Sequence, residues 1–272
     1  MTLKPRLMAI ADDIRLSENT EVIYDIGTDH AFLPIWLVKN GYCKRVVATD
    51  IRRGPLKKAA ENIARFSVEG CVRLHLGDGF DAIPEPGDNA GSVYATGWSA
   101  YEAPEVGSAV GVEHAICDGV DEAPTVASGA CAKPVVVSGF YVVISGMGGI
   151  LLSQILERGA KKAMRADTIV LQPMNNQPYL RKWLNCNGYK IKYEKLAIED
   201  RRIYNLMFCV YTGEYESYTD SEYLVGKRFV DCREDVFQKY IAMIIRRLKK
   251  AVDGLTKARK NERDSCNDEY KV

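Results

Sequence analysis

Three aspartates hold equivalent positions in the first third of the chain, each at the carboxyl end of an apolar run. They are Asp25, Asp50 and Asp78, which end or follow the runs 22–24, 45–49 and 72–76. The carboxyl ends of adjacent parallel strands line one crevice of an open sheet. A single aspartate there is most often a turn residue. Three in successive units predict a site for a ribose, an amine or a cationic centre.

The glycine pattern after the first run separates two classes of cofactor. Dinucleotide sites use G-x-G-x-x-G, so that a pyrophosphate can rest on the start of the helix. This chain has only Gly27, followed by Thr28, Asp29 and His30. Phosphates would be repelled by Asp25 and Asp29, whereas a cofactor with a positive centre and no phosphate fits. S-adenosylmethionine is such a molecule, so a methyltransferase is the favoured class.

Hydrophobic periodicity predicts the elements that position these acids. A helix over 3–14 precedes the first strand, and strands alternate with helices as far as residue 173. The extended segments 189–197 and 202–211 then predict a hairpin instead of another βαβ unit. We therefore expect an α/β fold with a seven-stranded, mostly parallel sheet and a terminal antiparallel hairpin.

A stretch of different composition interrupts this pattern at about 85–139. Between residues 85 and 134 it has eight acidic side chains and a single lysine, and it is rich in small residues without periodicity. We interpret it as an inserted loop, with a small folded subdomain as the alternative. Because it comes just before the fourth strand, it should emerge at the end of the sheet opposite the cofactor.

The C-terminal region predicts a long helix with a heptad seam. The seam consists of Phe237, Ile241, Ile244, Leu248, Ala251, Leu255 and Ala258. Between residues 239 and 260 this region also has eight basic side chains and one acidic one. A solvated helix face would explain the charge, but its single sign favours a polyanionic partner.

Six short motifs add a family resemblance. They are K-P-R-L at 4–7, D-I-G-T-D-H-A-F-L-P at 25–34, R-G-P-L at 53–56, L-G-D-G-F at 76–80, S-G-M-G-G at 145–149 and L-Q-P at 171–173. In order and spacing they resemble the bacterial tRNA (adenine(22)-N1)-methyltransferase family over roughly residues 3–84 and 140–212. The acidic stretch departs from the family's pattern, which has a short link there.

The resemblance implies a Rossmann-like class I methyltransferase that methylates N1 of adenine 22 in the D-arm of tRNA. It implies a catalytic domain at 1–213, with the insertion at about 85–139, and a helical coiled-coil, tRNA-binding domain at 214–272. Carried over by position, the residues that bind S-adenosylmethionine are Asp25, Gly27, Thr28, His30, Asp50, Ile51, Asp78, Gly79, Gly146 and Met147. Those expected to bind the substrate are Arg6, Tyr204, Arg246, Arg247, Lys249 and Lys250.

Asp29 is the expected catalytic residue, beside the methyl group and the target base. The lone pair of adenine N1 attacks the methyl carbon in line, so orientation matters most. The product is cationic, and a carboxylate can stabilise the developing charge or act on the exocyclic amine. A helix N-cap is the structural alternative for Asp29. The base must be unpaired; Phe32, Met147 and Tyr204 are candidates for stacking on it, with core packing the alternative for Phe32.

Other features bound the class of protein. The eight cysteines are scattered without a C-x-x-C pair and there are three histidines, so we expect reduced thiols and no metal site. No apolar run reaches 18 residues and the start lacks a secretory core, so we expect a cytoplasmic protein with no membrane contact. We also expect a monomer.

Two alternative functions stay open from the sequence. One is a class I methyltransferase for another RNA base or a protein amide, in which the fourth strand would be followed by an N/D-P-P-Y motif. The chain has Ser145-Gly146-Met147-Gly148 there. The other is a non-catalytic RNA-binding module that keeps the cofactor fold.

Overall fold

The computed structural model of the chain describes residues 1–16, 22–83 and 140–269, with side chains as far as residue 258. The described helices are α1 (Pro5–Arg15), α2 (Phe32–Lys39), α3 (Arg53–Arg65), α4 (Gly149–Arg158), α5 (Ala160–Ala163), α6 (Gln177–Cys186), α7 (Asp220–Val225) and α8 (Glu234–Glu269). The strands are β1 (Val22–Ile26), β2 (Arg45–Asp50), β3 (Val72–Leu76), β4 (Phe140–Met147), β5 (Thr168–Pro173), β6 (Tyr189–Glu199) and β7 (Arg202–Tyr211). The predicted acidic insertion lies outside the described residues.

The strands form one seven-stranded sheet in the order β3-β2-β1-β4-β5-β7-β6. The five strands from β3 to β5 run parallel, and β7 pairs antiparallel with both β5 and β6. The predicted Rossmann-like class I sheet with an antiparallel hairpin at its end is therefore confirmed. The chain leaves β1 on one side towards β2 and returns on the other at β4. This topological switch point is where open α/β sheets bind ligands.

Helices cover both faces of the sheet. One apolar layer lies under α1, α2 and α3, with buried residues such as Ile10, Leu37 and Leu56. The other lies under α4 and α6, with Leu156 and Leu180. Because every residue of β1 is buried, this strand is sealed on both faces, which explains its nearly continuous apolar run. The strand end is consequently the part of β1 that a ligand can reach.

Helix α1 lies against the hairpin, and its first turn reaches the cofactor edge of the sheet. Buried Asp13 accepts a hydrogen bond from the Tyr193 hydroxyl and lies 3.6 Å from Nζ of Lys195, both on β6. At the other end of the helix, the backbone N–H of Arg6 donates to Glu199 at the end of β6, at 3.3 Å. The two contacts fix where the side chain of Arg6 enters the site.

Helix α8 is buried against the rest of the molecule only near its start. Val236, Tyr240 and Ile244 are buried, whereas every described side chain from 245 to 258 is exposed. The long helix is confirmed. No described helix pairs with its second half, so the coiled coil stays a prediction. No helix in the described part of the chain has the length and apolarity to cross a bilayer.

Candidate active site

A cavity of about 1130 Å³ opens at the carboxyl ends of β1, β2 and β4. Pockets that hold one drug-sized ligand have roughly 300–1,000 Å³, so this one has room for more than a single small molecule. Its lining includes thirteen of the seventeen predicted site residues: Arg6, Asp25, Gly27, Thr28, Asp29, His30, Asp50, Ile51, Asp78, Gly79, Gly146, Met147 and Tyr204. The sequence prediction therefore brought together residues that meet in space.

The turn after β1 forms the floor of the cavity. The N–H groups of Gly27 and Thr28 both donate to the carbonyl of Thr49 on β2, at 2.8 Å, which ties the turn to the neighbouring strand. Gly27 has φ +76°, and a Cβ at this position would overlap the methyl group of Met147. Glycine is required here by both conformation and space.

Two buried carboxylates lie next to this turn, and the exposed Arg52 pairs with one of them, its Nε being 3.6 Å from Asp50. The side chain of Asp25 accepts a hydrogen bond from the Thr28 hydroxyl at 2.6 Å. Burial raises the pKa of Asp25 to about 6, Thr28 opposes that rise, and the charge of Asp50 adds to it. Asp50, also buried, accepts from the backbone N–H of Arg52 at 2.9 Å. A cationic ligand with hydroxyl groups would relieve this repulsion, so these residues fit S-adenosylmethionine.

Asp78 has a different environment from the other two acids. Its side chain is half exposed, and Nη2 of Arg158 on α4 lies 3.1 Å from both of its carboxylate oxygens. Its own N–H donates to Asp81 at 2.8 Å. The predicted role of Asp78 as acceptor for the adenine amine therefore involves an oxygen that Arg158 already contacts. Next to it Gly79 has φ +56° and packs against Ile155.

Asp29 projects into the cavity from an unusual backbone conformation. It has φ +54° and Ala31 has φ +58°, the left-handed region that aspartate tolerates better than most residues. The N-cap of α2 is Ala31 and no side chain caps this helix, so the alternative that Asp29 is the cap is wrong. The carboxylate is 65% exposed and lies 3.6 Å from Nε2 of His30. An exposed carboxylate on a strained turn is available to a substrate.

Gln172 on β5 organises the opposite wall. Its side chain is fully buried, and its amide oxygen accepts from Nη1 of Arg6 at 2.7 Å and from the N–H of Gly146 at 3.1 Å. Its amide nitrogen faces the sulfur of Met174 at 3.6 Å. One side chain thus fixes the end of β4 and the guanidinium of Arg6 together.

Arg6 and Tyr204 form the basic and aromatic end of the cavity. The guanidinium carbon of Arg6 lies 5.4 Å from the centre of the Tyr204 ring, a cation–π arrangement. Nε of Arg6 is buried without a hydrogen bond to the described residues, and Glu199 lies 3.9 Å away. Phe32 is 42% exposed at the cavity, so core packing is wrong as its role.

The other predicted substrate-binding residues lie elsewhere. Arg246, Arg247, Lys249 and Lys250 are exposed on α8, and none lines the cavity. Among the described residues, none of the four has a carboxylate within 4 Å. They form a basic stretch, separate from the catalytic crevice. No cluster of three or more potential metal ligands occurs in the part of the chain that the structure describes.

Sequence reasoning missed two residues that shape the cavity. Gln172 lay in a quoted motif without a role, and Arg158, in the last turn of α4, was not singled out. Each of the two residues contacts a partner that is distant in sequence: Gln172 is 166 residues from Arg6, and Arg158 is 80 residues from Asp78. The signal available was a polar residue, Gln172, directly after the apolar run 169–171 of a buried strand.

Two family models match the chain. One, described as a methyltransferase domain, matches residues 3–99. The other, described as tRNA (adenine(22)-N(1))-methyltransferase, matches residues 138–271. This second match covers just under half of the chain. The match bears out the predicted resemblance to this family over residues 138–271. The methyltransferase-domain match ends within the acidic stretch, and the second match begins at the end of that stretch.

Individual relatives cover a larger share of the chain. The tRNA (adenine(22)-N(1))-methyltransferase of Bacillus subtilis is 24% identical over 207 residues, which are 76% of this chain, and the match covers 64% of that relative. The chain thus spans just under two thirds of the length of this curated relative. An uncharacterized protein from Listeria monocytogenes superposes with a TM-score of 0.60 at 25% identity, covering 84% of this chain and 76% of that one.

A structure with a bound cofactor product shares the fold. The TrmK of M. capricolum in complex with S-adenosyl-homocysteine superposes with a TM-score of 0.62 at 23% identity, covering 93% of this chain and 88% of that chain. At this identity the likeness concerns the fold. The roles of individual site residues stay predictions.

Proposed function

We propose that this chain transfers a methyl group from S-adenosylmethionine to N1 of adenine 22 in tRNA. One observation carries the proposal. A single cavity has two buried carboxylates at one end, an arginine and a tyrosine at the other, and the exposed Asp29 on its wall. Such a cavity suits a cationic methyl donor and a planar base side by side. The match of residues 138–271 to the tRNA (adenine(22)-N(1))-methyltransferase family model supports the same reaction.

At the acidic end, Asp25 and Asp50 would hold the cofactor. Asp25 faces the cationic part of the ligand, and Asp50 accepts from the ribose hydroxyls. When bound, S-adenosylmethionine supplies a methyl group activated on sulfur. Gly27 lets the backbone approach it, and Ile51 covers the ring system. Without a positive ligand, two like charges are buried close together. A bound cation would reduce the repulsion between them.

At the other end, Tyr204, Phe32 and Met147 would stack on the flipped adenine, and Arg6 would bind the nucleotide that carries it. Asp29 then lies where positive charge develops on the base. Its carboxylate accepts a hydrogen bond from the exocyclic amine and stabilises the cationic product. The chain's own contribution is orientation, exclusion of water and one well-placed charge.

The basic stretch of α8 would bind the phosphate backbone of the tRNA outside the cavity. To the same proposal belong a catalytic domain at 1–213, a tRNA-binding domain at 214–272, a monomeric state and a place in the cytoplasm, where tRNA is modified. Light scattering on the purified chain at working concentrations tests the monomer.

The decisive experiment is methyl transfer from labelled S-adenosylmethionine to unmodified tRNA, followed by mapping of the modified base. Label at N1 of adenine 22 is the expected result. Label at another base would leave a methyltransferase of different specificity. A chain that binds tRNA without transferring label would be a non-catalytic RNA-binding module. A control tRNA with guanine at position 22 should accept no label.

A further inference from the structure

Arg181 on α6 and Glu194 on β6 form an ion pair outside the cavity, with side-chain exposures of 0% and 1%. Nε of Arg181 lies 3.2 Å and 3.1 Å from the two carboxylate oxygens, and Nη2 lies 2.7 Å from one of them. The catalytic proposal gives this pair no part. All three guanidinium nitrogens of Arg181 nevertheless donate hydrogen bonds.

The remaining donors of Arg181 reach the C-terminal segment. Nη1 donates to the carbonyls of Tyr223 at 3.0 Å and Leu224 at 3.2 Å, at the end of α7. Nη2 also donates to the hydroxyl of Tyr240 on α8 at 3.3 Å, and that hydroxyl donates to the carbonyl of Val225 at 2.9 Å. One guanidinium therefore connects α6, β6, α7 and the beginning of α8.

The backbone of Glu194 completes the connection. Its N–H donates to the carbonyl of Arg228 at 2.7 Å, and its carbonyl accepts from Val230 at 3.0 Å. The linker between α7 and α8 is thus bonded along the exposed side of β6. We call Arg181, Glu194 and Tyr240, with the carbonyls of 223–225, the joint.

A buried ion pair adds little to the free energy of unfolding, so stability alone does not explain the joint. Burying two charges costs several kcal/mol per ion, and apolar residues of similar volume are often as stable or about 1–4 kcal/mol more so. What an arginine fork adds is direction, because its planar donors fix the geometry of everything bonded to them. The joint therefore fixes the angle at which α8 leaves the sheet.

The angle matters because the buried side chains of α8, Val236, Tyr240 and Ile244, all lie in its first turns, around the joint. Its side chains are exposed from 245 to 258, so its course depends on the contacts near Tyr240. At about 1.5 Å per residue, Lys250 lies about 15 Å along the helix from Tyr240, so a tilt of about 20° at the joint moves Lys250 by about 5 Å. Such a shift would move the lysine and arginine side chains away from the phosphates that they contact.

We propose that Arg181 and Glu194 are positioning residues, which set the direction in which α8 presents its basic stretch to a tRNA whose target base lies in the cavity. The inference rests on the proposed function. It assigns to a buried ion pair an effect on substrate binding at a surface that the pair does not touch.

The test is the double variant Arg181→Met/Glu194→Leu in the full chain. Both charges are removed together, so no unpaired ion remains. We expect the KM for tRNA to rise about tenfold, with kcat at saturating tRNA and the Kd for S-adenosylmethionine within about twofold of the wild type. Amide exchange over 223–240 should accelerate. Tyr240→Phe, which loses one hydroxyl, should give a smaller rise in KM.

Leu184→Ala is the matched control, because it truncates a core side chain on the same helix without touching the joint. It should lower the melting temperature and leave the KM for tRNA unchanged. An unchanged KM in the double variant, or an equal rise in the control, would overturn the positioning role while the wild type still methylates tRNA. A wild type that methylates no tRNA would instead overturn the proposed function, and this inference with it.

Discussion

Asp25 is a cavity residue whose ionisation is strongly affected by burial. Burial raises its pKa to about 6, from an ordinary value of 3.8. An acid whose pKa is raised in the folded state contributes stability that is fully present below the unfolded-state pKa and is lost as the pH rises through 6. Two pKa units correspond to about 3 kcal/mol, so the cofactor-free protein carries a penalty of that order above pH 6.

We predict that Asp25→Asn stabilises the cofactor-free protein at pH 8 by about 1–3 kcal/mol, because the amide keeps the hydrogen bond from Thr28 without a buried charge. The gain should vanish near pH 4, where the wild-type acid is protonated. Thermal unfolding at the two pH values measures it. The same variant should bind S-adenosylmethionine poorly. A variant no more stable than the wild type at pH 8 would contradict the raised pKa.

A test of Asp29 needs a substitution that removes the charge without disturbing the backbone conformation. Its φ of +54° disfavours alanine, whereas asparagine tolerates this region. We predict that Asp29→Asn lowers kcat by about a hundredfold or more, the size expected for loss of one charge-stabilising group, with little change in cofactor affinity. Turnover assays and calorimetric titration measure the two quantities.

Asp231→Asn is the control for Asp29, since Asp231 is also exposed with φ +50° but does not line the cavity. It should turn over normally. Near-normal turnover of Asp29→Asn would remove Asp29 from the catalytic machinery.

At this scale the sequence predicted positions better than partners. Asp25, Gly27 and Asp50 follow from strand ends and one glycine, because parallel strands bring their carboxyl ends to one edge. The pairing of Asp78 with Arg158 and the hold of Gln172 on Arg6 do not follow. Each joins side chains from separate elements, and only the packing of helices on the sheet brings them within hydrogen-bond distance.

At the scale of elements, hydrophobic period decided most of the fold. The strands β2 and β3 coincide with the predicted runs, 45–49 with Asp50 at its end and 72–76, because buried parallel strands are short apolar runs that end at turns. Helix α8 was predicted from its heptad spacing, but only Ile244 of the seam is buried. A heptad pattern states that a face can pair with something. It does not state whether the partner lies in the same chain.

For α8 we predict that Lys249→Glu/Lys250→Glu weakens tRNA binding and lowers the slope of log affinity against log salt by about two, one unit for each lost phosphate contact. Filter binding at several salt concentrations gives both quantities. The exposed pair Lys57 and Lys58 on α3 is the matched control, with the same residues and change of charge. An equal loss in Lys57→Glu/Lys58→Glu would show that net charge alone is responsible.

At the scale of the whole molecule, the two predicted domains are bonded to each other across the predicted boundary. The change in pattern after Gly213 predicts a boundary at 213/214, which stays a prediction. Yet Arg181, within the first region, bonds to Tyr223, Leu224 and Tyr240 in the second. The start of α8 therefore completes the packing of α6 and β6. The last buried residue of α8 in the described chain is Ile244.

We therefore predict different outcomes for two truncations. A chain ending at residue 245 keeps the joint and the burial of Val236, Tyr240 and Ile244, so it should melt within a few degrees of the full chain and bind S-adenosylmethionine normally. It lacks the basic stretch, so its tRNA affinity should fall. A chain ending at 213 exposes Arg181 and loses apolar burial worth about 1.5–3 kcal/mol per large side chain, which should lower its melting temperature by about 10 °C or more. Calorimetry and cofactor titration on both chains decide between the boundaries, and equal stability would place the boundary at 213.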